Sequence, residues 1–296
     1  MRVLVLVIAS FDKPVYYDML NVWKTRLTND DGSDVTDVTD GSDVWFVRSK
    51  PDSEWIGDII NDILDPELKD RYELDILNKT IFVRGDECLI PGILNKTVEA
   101  ISYFLGELRS PITPPSQNRN TTKLIQNGNT TKLIPHYDFI WRTNLSSVLD
   151  FRGLHAYISG LKSSGGLKSS GNSSVNSSVN SSLGFYGGYI GKASSYFFAS
   201  GAGFLMSRDV ASYLVTNKHL LRWDLIDDVA IGALLEPRFG LVHIDRCWVD
   251  ENFSGCPDVF HFRCESYLHL RTVEFMNAVN GNLRFNKFTP FKPKGT

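Results

Sequence analysis

Asp227 and Asp228 stand side by side where an apolar helical pattern, Ile226–Leu235, begins. A carboxylate at a helix N-terminus is held ionised by the helix dipole and the free amides of the first turn, so it can take a proton from a hydroxyl. Aspartate is also favoured at helix starts for capping alone, and the pair read by itself leans that way. Upstream, Tyr196–Asp209 reads as a strand, a glycine-containing turn (Ser200-Gly-Ala-Gly203) and a helix start. Gly201 and Gly203 would let a ligand approach the backbone closely. Their spacing is not that of a Rossmann or P-loop cradle, and a tight strand–helix turn explains them equally.

Two further segments carry candidate groups. The apolar strand Tyr137–Trp141 ends in Arg142, Thr143, Asn144, Ser146 and Ser147. Parallel sheets present ligand-binding groups at such strand ends, and the fork of Arg142 suits a phosphate. A capped turn would use the same residue types. His261 and Arg263 alternate with Phe260 and Phe262 and so share one face of a late strand. A neutral imidazole can ligate a metal, and either group can neutralise phosphate; a lone histidine in this setting is more often only hydrogen-bonded.

The elements that must position these groups alternate between strand and helix. Val3–Ala9 is an apolar, β-branched run that reads as a buried first strand rather than a signal peptide. Val44–Val47, Thr80–Val83, Leu183–Ile190, Tyr196–Ala199 and Leu241–Ile244 are predicted strands. Val15–Leu27, Ile90–Leu108 and Asp209–Asn217 are predicted helices, and the polar segments Ser53–Leu64 and Pro66–Tyr72 are helix or loop. The pattern predicts an α/β fold: a mostly parallel central sheet with helices on both faces, binding ligand beyond the carboxyl ends of its strands.

The chain's 296 residues, 42% apolar and 22% charged, suit one domain spanning 1–296. With a net charge of −3 and no basic block, neither nucleic acid nor an anionic membrane surface is an expected partner. No window approaches the ~20 apolar residues of a transmembrane segment. Short tandem repeats cluster near 29–43, 113–134 and 160–182, such as Asn-Thr-Thr-Lys-Leu-Ile at 120–125 and again at 129–134. These read as exposed low-complexity loop insertions, too polar to offset the entropy of ordering them. Three of the nine Asn-x-Ser/Thr sequons fall in one such tract and follow from its composition. Cys88, Cys247, Cys256 and Cys264 form no CxxC pair; reduced thiols are expected, with a Cys247–Cys256 or Cys256–Cys264 disulfide as the alternative.

Taken together, the segments resemble the fringe-like β1,3-glycosyltransferases of the GT-A fold. Ala199-Ser-Gly-Ala-Gly-Phe-Leu-Met-Ser-Arg208 is similar to that family's Ala-Ser-Gly-x-Gly-Tyr-x-x-Ser-Arg loop. Asp227-Asp-Val-Ala-Ile-Gly232 is similar to its Glu/Asp-Asp-Val-x-x-Gly motif, and Phe139-Ile-Trp-Arg-Thr-Asn-Leu-Ser146 to its strand bearing the DxD metal motif. The resemblance implies inverting transfer of a sugar from a nucleotide-sugar co-substrate to a hydroxyl of a glycan or glycoprotein, with Asp228 or Asp227 as the base. It also implies donor contacts from Ser10 at the end of the first strand, from Arg142, Thr143, Asn144 and Ser146, from Ser200, Gly201 and Gly203, and from Arg263. His261 and Asn144 match metal-ligand positions. Asn144 and Ser146 replace both DxD carboxylates, which leaves a manganese or magnesium requirement open and passes charge neutralisation to Arg142, Arg263 and His261. The N-terminal anchor usual in Golgi members is not seen, which implies a soluble bacterial- or viral-type relative in the cytoplasm, the host's if viral. A non-catalytic sugar- or nucleotide-binding protein on the same scaffold is the alternative, and an unrelated nucleotide-binding α/β protein a third reading.

Overall fold

The computed structural model describes residues 1–10, 13–27, 41–54, 71–106, 121–123, 133–163, 184–250, 259–264 and 271–285. Most of the three repeat tracts, the segment 55–70 and Cys256 lie outside them. The described elements run β1 (Val3–Ile8), α1 (Pro14–Leu27), β2 (Asp43–Lys50), β3 (Tyr72–Asp75), β4 (Thr80–Arg84), α2 (Gly92–Leu105), β5 (Thr121–Lys123), β6 (Leu133–Pro135), β7 (Phe139–Asn144) and β8 (Ser147–Leu149). There follow α3 (Phe151–Ser163), β9 (Tyr186–Ala193), β10 (Tyr196–Ser207), α4 (Arg208–Thr216), α5 (Asp227–Phe239), β11 (Val242–His243), β12 (Cys247–Trp248), β13 (His261–Arg263) and α6 (Thr272–Phe285).

Eight strands form the central sheet in the order β11-β9-β10-β7-β1-β2-β4-β3. Its middle, β7-β1-β2-β4, is parallel. β10 runs antiparallel to both β7 and β9, and β3 antiparallel to β4. Every residue of β1 is buried, because side chains alternate between two covered faces. Leu4, Leu6 and Ile8 join the core packed by α2, α4 and α5; Val3, Val5 and Val7 join the one packed by α1, α3 and α6. Burying each such side chain contributes about 1.5–3 kcal/mol, so this strand anchors both layers. The result is a mixed α/β fold with a large sheet flanked by helices, consistent with the GT-A-like expectation.

Smaller sheets join β12-β13-β8 and β5-β6. The second places strand within the tract near 113–134 that composition predicts as loop, and α3 extends into the tract near 160–182.

α2 stops where Gly106 turns left-handed (φ 71°) and donates its amide to Tyr103 O, a conformation glycine adopts without the Cβ penalty. A larger departure from expectation lies in β10. The strand does not end at Ala199 in a turn; it continues to Ser207, with its register against β9 shifting between Ala199 and Phe204. Ser200–Gly203 is therefore an irregularity inside a strand. Buried Phe204, Leu205 and Met206 hold the strand in the sheet beyond it, which outweighs the turn preference of the glycines.

Candidate active site

β7 carries the first functional groups to the carboxyl end of the sheet, where Asn144 lies level with Ile8 of β1. Arg142 pairs in register with Leu6 and Phe204 and is only 3% exposed. Its guanidinium lies over the Phe204 ring, donates through Nη1 to Gly201 O, and forms an ion pair through Nη2 with Asp227 Oδ2 at 2.5 Å. Arg142 is thus tied to α5 and the β10 irregularity, and serves first to hold a carboxylate rather than a phosphate.

The N-cap of α5 is Ile226, in extended conformation, so neither aspartate takes the capping position itself. Asp228 Oδ1 accepts the Val229 amide at 2.9 Å, and Oδ2 accepts the Gly201 amide at 2.8 Å. Asp228 is held by backbone dipoles. Burial pushes its pKa up and the neighbouring Asp227 pushes the same way, against the Gly201 amide and the more distant Arg142. A Cβ on Gly201 would lie 3.0 Å from Arg142 Nη1 and 3.3 Å from Asp228 Oδ2, so a side chain there would press on both groups.

The irregularity is itself pinned from below. The Ala202 carbonyl accepts Thr143 Oγ1 at 2.6 Å, Ser147 Oγ at 2.9 Å and His261 Nε2 at 3.2 Å. The last contact puts the proton on Nε2, since a carbonyl only accepts. His261 is fully buried and its pKa falls to about 3, through burial first and then the positive charges of Arg246 and Arg263. It is neutral, so it does not neutralise phosphate as expected. Gly203 packs against Trp141 and His261, where a Cβ would come within 2.5 Å of the indole. Thr143, Gly203 and His261 lie beneath the site and shape it, outside its lining.

The remaining candidates open onto one cleft of about 500 Å³. Ser10, Arg142, Asn144 and Ser146 line it from β1 and β7; Ser200 and Gly201 from β10; Asp227 and Asp228 from α5; Arg263 from β13. Asn144 Oδ1 accepts Arg263 Nη1 at 2.7 Å and also the hydroxyls of Ser146 and Ser147. That donor set does not fit a divalent cation: the one amide oxygen is already saturated and a guanidinium sits against it. Among the described residues no group of three or more His, Cys, Asp or Glu side chains is gathered for a metal.

Sequence reading missed several lining residues. Lys96, on α2, is wholly buried; its Nζ donates to Ala9 O at 2.9 Å and pairs with Glu87 at 2.5 Å, while Glu87 accepts the Ser49 amide at 2.9 Å. It ties the ends of β1 and β2 together at one end of the cleft. Its only signal is a lysine within a helix rich in apolar residues. At the other end, Arg246 lies 4.1 Å from the Tyr189 ring and 5.2 Å from the Trp248 ring, and donates to Ser200 Oγ at 2.9 Å. The available signal there was the alternation of Arg246 and Trp248 with apolar Cys247 and Val249. Cys247 is disulfide-bonded, which corrects the expectation of reduced thiols; Cys88 and Cys264 are free.

Among the described residues no helix is long and apolar enough to cross a membrane. No family model matches the chain, and no curated protein matches it in sequence. Among solved structures the chain is similar to the galactosyltransferase LgtC, crystallised with donor and acceptor sugar analogs, at 8% identity and a TM-score of 0.38 over 95% of this chain and 96% of that one. At that distance function does not travel with the fold, and it has to be read from the site.

Proposed function

We propose that the chain is a glycosyltransferase that moves a sugar from a nucleotide-sugar donor to a hydroxyl of a glycan or glycoprotein acceptor, with inversion. The observation that carries this reading is the meeting of Asp227, Asp228 and the β7 strand-end groups in a single cleft. Each oxygen of Asp228 accepts one backbone amide, which leaves it a lone pair for an incoming proton. The acceptor hydroxyl gives its proton to Asp228 as its oxygen bonds to the anomeric carbon. The bond from that carbon to the diphosphate breaks on the opposite face, and the electron pair leaves with the diphosphate. A positioned base of this kind contributes roughly 10²–10⁴-fold.

The departing diphosphate needs positive charge, worth several kcal/mol in comparable sites. Arg263, beside Asn144, and Arg246 supply it in this reading, and transfer requires no divalent metal. Arg142 holds Asp227 in place through their ion pair, so that Asp227 acts as the positioning carboxylate and Asp228 as the base. Ser10, with Ser200 and Gly201, lines the donor path. A sugar- or nucleotide-binding protein without turnover is the second reading; Asn144 and Ser146, standing where the resemblance has carboxylates, favour it.

A panel of nucleotide sugars screened by melting temperature, with manganese and with excess chelator, separates these readings. A ligand at 100 times its Kd stabilises by about 2.7 kcal/mol, a shift readily measured. The proposal expects one donor class to stabilise the protein equally in chelator and to release nucleoside diphosphate. Stabilisation without release supports the binding protein, and no response to any sugar nucleotide overturns both.

A further inference from the structure

We propose that the β12 end of the cleft is an acceptor subsite for a saccharide, with the Trp248 indole as its stacking platform. This rests on the transferase reading and adds where the acceptor sugar binds and which side chain carries it. Trp248 is 52% exposed, unusually open for an indole, and it lines the same cleft as Asp228. Its backbone belongs to a strand hydrogen-bonded to β13, which fixes the platform to the sheet that carries Arg263.

The groups around Trp248 suit a pyranose better than other acceptors. A sugar ring offers an apolar face of C–H bonds and a rim of hydroxyls. Trp248 provides a flat π-surface for the first. Arg246, held between Tyr189 and Trp248, and Ser200 provide donors and acceptors for the second. A lipid acceptor would need a continuous apolar surface, whereas this end of the cleft alternates aromatic with cationic and hydroxyl groups. A peptide adding to β12 would find only two strand residues to pair with. The same contacts connect the platform to the base: Arg246 bonds Ser200, and the amide of the next residue, Gly201, bonds Asp228. A sugar stacked on Trp248 therefore presents its hydroxyls into the space that Asp228 faces. The donor's nucleotide is left the opposite end, beside Ser10 and Lys96.

The test measures the binding of lactose, cellobiose and chitobiose to the full chain by ligand-observed NMR, with and without a saturating nucleoside diphosphate. The expected result is saturable binding of at least one disaccharide, weakened tenfold or more in Trp248→Ala and within about threefold of wild type in Trp248→Phe. Nucleotide-sugar affinity, followed by melting temperature, should stay within about threefold in both variants. Absence of saturable saccharide binding to the wild-type protein overturns the subsite. So does binding that Trp248→Ala leaves unchanged, or a loss of nucleotide-sugar affinity as large as the saccharide loss. If saccharides bind through Trp248 while no nucleotide sugar binds, the subsite stands and the transferase reading fails. If nucleotide sugars bind and turn over while saccharide binding ignores Trp248, the transferase reading stands and the subsite fails.

Discussion

Glu99 on α2 and Asp228 on α5 are both carboxylates drawn out of water, and the protein surrounds them in opposite ways. Glu99 accepts Tyr72 and Arg71, and pairs with Lys218 at 2.7 Å. Burial pushes its pKa up, but the bonds from Lys218 and Tyr72 and the charges of Lys218 and Arg71 outweigh that and hold it below the usual range. Asp228 has two amides for partners, a second carboxylate beside it, and a raised pKa. A carboxylate saturated with cations joins elements together. One held by amides at the rim of a cleft keeps basicity and a free lone pair. Charge content alone does not separate the two; the identity of the donors does.

The largest expected effect that tests this contrast is on turnover. Asp228→Asn should lower nucleoside diphosphate release roughly 10²–10⁴-fold, whereas Glu99→Gln should leave kcat within about threefold. Equal losses would erase the distinction. Next comes stability. Arg142→Leu strands Asp227 as a buried, unpaired charge and should cost about 3–5 kcal/mol in denaturant unfolding. The double variant Arg142→Leu/Asp227→Leu should recover at least half of that, because it removes the stranded charge as well.

Glu99→Gln should cost less, about 1–2 kcal/mol, because Arg71 and Lys218 keep 37% and 31% of their side chains exposed and can return to water. Its pH dependence has a definite sign. The folded pKa of Glu99 lies below its ordinary 4.5, so its contribution is complete above that value and is lost as pH falls through the lowered one. Wild type and Glu99→Gln should therefore converge in stability on acidification. The smallest effect has the opposite sign. Asp228 ionises less readily in the folded chain than in the unfolded one, so the fold is penalised as pH rises from 3.8 through the raised value. Asp228→Asn should raise Tm by about 1–3 °C near neutral pH, and the gain should vanish below the ordinary aspartate range.

Much of this arrangement is legible in the sequence, and the parts that are not have identifiable causes. The apolar run at Val3–Ala9 announces β1, because a strand buried on both faces needs no alternation. Asp227 and Asp228 announce the head of α5 through residue preference at helix starts. β10 defeats local reading: Ser200–Gly203 has turn composition, and pairing with β7, distant in the chain, together with the neighbouring β9, keeps it within a strand. α3 carries Phe151, Leu154 and Ile158 at helical spacing, but Gly153 and Gly160 weaken the pattern. Lys96 is invisible as a site residue until α2 is known to be buried almost all round. The functions of Thr143 and His261 turn on which way their side chains face at the Ala202 carbonyl, a tertiary fact no local pattern encodes.

The claim at the centre is that ionised Asp228 takes the acceptor proton. The pH dependence of kcat/KM tests it most directly, measured for wild type and for the residual turnover of Asp228→Asn. The account predicts that wild-type kcat/KM rises through a single ionisation whose midpoint lies above the ordinary aspartate value of 3.8, and that the variant shows no such rise. The same rise in both proteins would show that another group is the base.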